Sequence, residues 1–424
     1  MSMVNRVLVL AVLFSCACSK GTVGAPAADG ASWPRFHGPK GDNISTETGL
    51  LRAWPDGGPK LLWRAKGLGG GFASVSVANG LIYTAGNTNG QTTIAALDLD
   101  GNIKWQVHNG PAWTGDSPGS RGTPTIDGDR LYHESPSGEV VCLNAKTSER
   151  IWGLNILKEF EGENITWALA ESLLIDGEHL ICCPGGKKAS VAALDKKTGK
   201  TVWTTPSTGD KAGYASPVLV EHQGLRMILT MTQRAVIGVN ADNGELLFRH
   251  EHKTSYDVNA TDPIFHEGEV FISSGYGSGS ELLKLTVSGQ KVAAQRVWQS
   301  KELDNQHGGV VLLGGYLYGA AHNRNGGGWV CLDWKTGKKM YAEQGVGKGS
   351  LTSAEGMLYT FSENEGKRGV GLVEATPEGH KLVSRFQLPA GGKGPTWPHP
   401  VVCGGRLYLR HGDLLFAYDV RAKQ

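Results

Sequence analysis

From about residue 72 to the carboxyl end, apolar and polar residues alternate in short runs broken by pairs of turn formers. "VSVANGLIYTAG" (75–86) and "PVVCGGRLYLRH" (400–411) show the pattern: apolar side chains occupy every second position, a glycine-containing pair interrupts, and the alternation resumes. A period of two predicts half-buried strands, and the X-Gly pair predicts a tight hairpin between them. Eight such pairs occur: Asn79-Gly80, Asp127-Gly128, Asp176-Gly177, Gln223-Gly224, Glu267-Gly268, Gly314-Gly315, Glu355-Gly356 and Gly404-Gly405. No segment carries apolar residues at i, i+3, i+4 and i+7 over three turns, which argues against a helical solenoid.

A second phrase follows each hairpin. "AALDKKTGKTVW" (192–203) returns as "VCLDWKTGKKMY", "VCLNAKTSERIW", "GVNADNGELLF" and "AALDLDGNIKW". Its Thr198-Gly199 pair is another turn signal, flanked by strand-like alternation and followed by an aromatic. The closing aromatics are Trp63, Trp105, Trp152, Trp203, Phe248, Trp298, Tyr341 and Phe386, on average roughly 46 residues apart, which is the length of a propeller blade. Each unit therefore reads as four antiparallel strands, and the chain as an all-β, eight-bladed β-propeller. The last unit runs out of chain before a closing strand, whereas "PKLLWRAKG" around Trp63 is a closing strand without a blade before it. The amino-terminal strand is expected to complete blade 8 and seal the ring, with residues 19–53 dispensable for folding.

The phrase carried by Ala193, Asp195, Thr198, Gly199 and Trp203 resembles the repeat of the pyrroloquinoline-quinone (PQQ) type propellers, and the resemblance spans roughly Trp33 to the carboxyl end. It implies the fold. Function is left open, because that superfamily contains quinoprotein alcohol dehydrogenases as well as the outer-membrane assembly lipoprotein BamB. The lead-in "WPRFHGPKGDNISTETGLLRAWPDGGPKLLW" resembles compact secreted members of the same superfamily.

Charge changes the picture little. The 42 basic and 40 acidic residues leave a net charge of +2, so no long-range field favours nucleic acid, and none is expected as a partner. Abundant glycine (61 residues) with only 19% charged residues suits many short strands and tight turns. Residues 1–18 read as a lipoprotein-type signal peptide: Arg6, an apolar run to Phe14, then Cys16 preceded by Ser15. Cys16 is the expected lipidation site and Cys18 the alternative. A polar linker covers 19–32 and a single propeller domain 33–424, in an exported, cell-envelope protein that touches membrane only through its anchor. The five remaining cysteines are not spaced as a disulfide framework, and Cys142 and Cys331 fill the slot that Ala193 fills elsewhere, as small core residues.

Candidate chemistry lies where opening strands start and where second strands give way to third, because both rim the central channel. The first set is Arg121, Trp167, Glu171, Tyr214, Asn259, Asp262, Gln306, His307, Lys348, Trp397 and His399. The second is Gln233, Arg234, His322, Asn323, Arg324 and Arg410. Polar and aromatic residues converging on an axis are the default ligand site. The resemblance implies that a quinoprotein would hold calcium and PQQ with a Glu, an Asn and a catalytic Asp. The matching loops here carry Lys187 and Ser278 at the first two positions, leaving Asp304 or Asn305 for the third. Cys182-Cys183 reads as two strand residues with one facing the core, not a redox pair. His250 and His252 share a strand face, as solvated residues more readily than metal ligands. The reading is a non-catalytic binding or scaffold module for a protein or saccharide, with neither cofactor nor metal expected. A quinoprotein alcohol or sugar dehydrogenase using PQQ, calcium and Asp304 is the alternative.

Overall fold

The computed structural model describes residues 30–322, 328–364 and 369–422. Eight blades of four antiparallel strands form a ring, one of them joined by a fifth, parallel strand. The innermost strands run from Ser76–Ala78 in blade 1, through Thr125–Asp127, Leu174–Asp176, Val218–His222, Ile264–His266, Val310–Leu313 and Gly349–Ala354, to Val401–Cys403 in blade 8. The predicted closure is present: Lys60–Lys66 pairs antiparallel with Leu414–Asp419, so the first long strand is the outer edge of the last blade.

Local chemistry explains the repeat. Six of the eight inner hairpins place both turn residues in the left-handed region, as at Asn79 (φ 54°) and Gly80 (φ 74°), which matches the twist of the flanking strands. In the second phrase the Asp195 carboxylate accepts hydrogen bonds from the Thr198 backbone N–H and hydroxyl, both at 2.8 Å. Asp333 and Thr336 repeat the arrangement. The residue directly across from each closing aromatic is commonly small: Ala193 faces Trp203, Cys142 faces Trp152 and Cys331 faces Tyr341. The core is accordingly eight apolar layers, each pressed between neighbouring blades. All five described cysteines are free and buried. Cys182 and Cys183 each face a core layer, on opposite sides of blade 3, so both are buried and not one.

The lead-in segment packs against the ring. Trp33 pairs with Val77 of blade 1 through two backbone hydrogen bonds of 2.7 and 2.8 Å, and the Pro34 carbonyl accepts from Ile126 N–H of blade 2. His37 reaches Asp262 before blade 5, Ile44–Ser45 adds a parallel edge to Gly349–Ala354 of blade 7, and Leu51 N–H donates to Val420 O. Residues 33–54 therefore cross the channel and bind the inner strands of blades on opposite sides. A polar backbone segment in that position satisfies strand edges that would otherwise face an empty bore. It forms the floor of the site described next.

Candidate functional site

Above this floor lies a cavity of about 300 Å³. Arg121, Trp167, Tyr214, Asp262, His307, Trp397 and His399 line it, together with Gln306. Each sits just before or at the start of an innermost strand, so one topological position repeated around the ring brings residues from six blades to the axis. Phe36 of the floor, Phe72 and Tyr276 complete an aromatic wall. Phe72 and Trp397 stand 4.5 Å apart between ring centroids, and Trp167 and Tyr214 6.2 Å.

Two hydrogen-bonded networks border the cavity. In the floor, His37 Nδ1 lies 3.1 Å from Asp262 Oδ2, whose other oxygen accepts from Ser216 N–H at 2.7 Å. His37 Nε2 meets His399 Nδ1 at 3.0 Å, and His399 Nε2–H donates to the His307 carbonyl at 2.7 Å. Burial, together with the nearby His37, holds the His399 pKa well below the usual histidine range. On the wall, Glu363 joins His307 Nε2 at 2.8 Å, the Trp397 indole N–H at 3.2 Å and Lys348 Nζ at 2.9 Å. Burial opposes ionisation of Glu363, but the His307 hydrogen bond and the Lys348 ammonium outweigh it and hold the pKa at about 2. Lys348 also donates to Gln306 Oε1 and His322 Nδ1, each at 2.7 Å. His322 and Lys348 thus belong to the polar wall and not to the cavity lining.

Several rim candidates are placed elsewhere. Glu171 is buried behind the wall, accepting from Cys183 N–H at 2.7 Å, and its carboxyl faces Glu134 of blade 2. Burial and the mutual repulsion of two carboxylates push the Glu134 pKa well above its usual range, so the pair holds a proton to higher pH than an exposed carboxyl would. Asn259 is also buried: its amide donates to the Thr232 carbonyl at 2.9 Å and its oxygen accepts from Ser274. Arg410 is buried between blades 8 and 1, donating to the carbonyls of Ala73 and Gly69. Gln233 and Arg234 are on the rim, both reaching Asp257. Asn323 and Arg324 lie outside the described residues.

His252 is buried and His250 is half-buried, so they are not a pair of surface residues. Both engage the buried Glu281, at 3.0 and 2.8 Å. Burial works against the Glu281 charge, but these two hydrogen bonds keep its pKa well below the carboxylate range. Among the described residues no cluster of three or more His, Cys, Asp or Glu could hold a metal ion.

Phe36, Phe72, Tyr276 and Glu363 escaped the sequence reading. Glu363 follows the second strand of blade 7, the same position that singled out His322, so the rule in use would have found it. Phe36 carried no such signal, because the lead-in has almost no strand pattern.

The calcium site that the resemblance implies does not fit. Asp304 is buried, with Oδ2 accepting from Gly277 N–H at 2.9 Å and Oδ1 from His322 N–H at 2.8 Å. The Ser278 carbonyl accepts from Lys301 Nζ at 2.6 Å, so an ammonium group stands beside the position where a hard cation would need an oxygen ligand.

Fold and repeat define a PQQ-type eight-bladed propeller. The chain belongs to the family described as outer membrane protein assembly factor BamB, whose model matches residues 28–183 and 112–343. Among solved structures it is similar to BamB from Moraxella catarrhalis, with 14% identity and a TM-score of 0.58 over 85% of this chain and 99% of that one. It is also similar to the quinohemoprotein alcohol dehydrogenase of Comamonas testosteroni, with 11% identity and a TM-score of 0.64 over 93% and 81%. At these identities the likeness is one of fold. A polyvinylalcohol dehydrogenase from a Pseudomonas species is 24% identical over 247 residues, 55% of this chain; the chain spans 35% of that protein's length.

Proposed function

We propose that this chain is a non-catalytic binding propeller of the bacterial cell envelope, exported and lipid-anchored at Cys16 or, failing that, Cys18, whose cavity-bearing face receives a protein partner. A saccharide is the other class of partner that the aromatic rim suits. No described helix is long and apolar enough to cross a membrane. Membership of the BamB family supports the protein-partner reading.

The observation that carries the non-catalytic reading is Asp304. A general base must reach the substrate, and Asp304 is buried, held by backbone N–H groups of Gly277 and His322, and is not part of the cavity lining. The quinone fits no better than calcium: among the described lining residues its three carboxylates would meet one guanidinium, that of Arg121. The dehydrogenase reading keeps one support, the partial match to the polyvinylalcohol dehydrogenase.

Photo-crosslinking from positions 167 and 214 in intact cells tests the binding reading. A discrete adduct from the rim, absent when the crosslinker is moved to the exposed outer-strand position 202, is the expected result. Dye-linked alcohol oxidation that requires PQQ and calcium and disappears in Asp304→Asn would overturn it. Intact-mass analysis of membrane-extracted protein tests the anchor; a mature form that begins beyond Cys18 without acyl mass would refute it.

A further inference from the structure

The mouth cavity contains a cation without a carboxylate partner among the described residues. Arg121 Nη1 donates to the Gly119 carbonyl at 2.6 Å, and Nη2 to the carbonyls of Ser117 at 2.7 Å and Asp116 at 3.5 Å. Its guanidinium carbon lies 5.4 Å from the centroid of Phe72. All three acceptors are neutral backbone groups, and no carboxylate among the described residues forms an ion pair with it. Two of its five N–H donors have no acceptor among the described residues. Burial lowers the pKa to about 10, which leaves the group charged at neutral pH.

The other ionisable groups at the cavity already have hydrogen-bond or ion-pair partners. Asp262 is directed into the floor, against His37 and the Ser216 N–H. Glu363 and Lys348 neutralise one another in the wall. Among the described residues a ligand therefore meets one positive charge without a counter-charge, surrounded by flat apolar faces: Phe36, Phe72, Trp167, Tyr214 and Trp397. A half-buried charge without a counter-charge is costly, and a carboxylate supplies both the counter-charge and the acceptor that this guanidinium lacks. Aromatic walls favour a planar body, and a cavity of about 300 Å³ admits a small one. A second or third negative charge would be desolvated without compensation.

We propose that this cavity binds a small planar aromatic acid with a single negative charge, its carboxylate on Arg121 and its ring against the aromatic wall. The inference rests on reading this face as a binding surface, and adds the class of ligand. Such a ligand would be either a free small molecule or the terminal carboxylate of an aromatic residue on a partner; the shared chemistry is an aryl-bearing carboxylate.

Isothermal titration of the mature chain with 2-naphthoate, 2-naphthamide and pyrroloquinoline quinone tests it. Saturable one-to-one binding of the naphthoate is expected, at least tenfold tighter than the isosteric amide and tighter than the quinone with or without calcium. Arg121→Gln should remove the preference for naphthoate over naphthamide and Arg121→Lys restore part of it. If the Gln variant fails to fold, the acid-to-amide ratio on the unaltered chain still decides. Equal affinity for acid and amide, tighter binding of the quinone, or no saturable binding of any probe would overturn the proposal. Rim crosslinks that persist beside a failed titration would sink the ligand class while leaving the binding propeller standing. To separate the two sources, a peptide ending in a free carboxylate after Trp is compared with its C-terminal amide; an acid-to-amide preference matching the naphthoate pair assigns a partner's terminus, and its absence assigns the free acid.

Discussion

The indole of Trp152, on the outer strand of blade 2, lies over Gly199 in the Thr-Gly turn of blade 3. A Cβ placed on Gly199 would come 2.6 Å from Trp152 Cε3, and the indole N–H donates to the Lys196 carbonyl of the same turn at 3.0 Å. Trp203 over Gly244, Trp298 over Gly337 and Trp63 over Gly101 repeat the contact. Glycine in the repeat thus has two roles, supplying the left-handed turn residue (φ 73° at Gly199) and the flat seat for the preceding blade's aromatic. Gly199→Ala is expected to destabilise the protein by about 1–3 kcal/mol through overpacking and backbone strain. Trp203→Ala removes the knob itself and should cost about 3–5 kcal/mol. Denaturant unfolding measures both. A loss under about 1 kcal/mol for Trp203→Ala would mean that the indole does not lock neighbouring blades.

Truncation separates ring closure from the floor. Removing residues through Lys66 deletes the outer strand of blade 8 and should abolish cooperative unfolding or solubility. Removing residues only through Ala53 leaves the closing strand and deletes the floor, with its contacts to blades 1, 2, 7 and 8. A folded ring with a lower melting temperature and an open cavity base is expected. An unchanged melting temperature for the shorter truncation would show that the floor is not part of the fold.

The Glu134–Glu171 pair makes stability depend on pH in a definite direction. Both folded-state pKa values are raised, chiefly by burial, above those of the unfolded chain. Their contribution is complete below the ordinary carboxyl pKa of about 4.3 and is lost as pH rises from there toward the folded-state values. Glu134→Gln keeps a hydrogen-bond donor facing Glu171 without a titrating proton. The variant should be more stable than the parent at pH 8, with a flatter melting-temperature profile between pH 5 and 8. Parallel profiles would refute the shared proton.

Glu363 works in the opposite sense. Its depressed pKa of about 2 gives stability that is present above the unfolded carboxyl range and lost as pH falls toward that value. Glu363→Gln leaves the Lys348 ammonium buried without its counter-charge and should cost on the order of 2 kcal/mol. Lys348→Met in the same background should recover part of that loss. A double-mutant cycle with no coupling would show that the two charges do not act as a pair.

The sequence by itself determined the blade count, the four-strand unit, the closing aromatics and the circular closure. Those features follow from the local period of two and from turns whose residues state their own backbone requirement. The pairing of Lys60–Lys66 with Leu414–Asp419 followed from counting strands, since an unpaired closing strand and an unclosed blade have only one economical solution. Only the tertiary structure decided which rim residues face the axis. Glu171 and Ser172 are chain neighbours, yet Ser172 lines the cavity while Glu171 turns into the blade, because its partner Glu134 is contributed by blade 2. Asn259 was likewise legible as a rim position and Asp304 as the alternative catalytic residue, and both were illegible as buried, since hydrogen-bond partners lie 27 and 18 residues away in the chain. The floor was invisible for a related reason. Residues 33–54 are held by edges of strands from both ends of the chain, and a segment ordered by distant partners has no periodicity of its own to announce it.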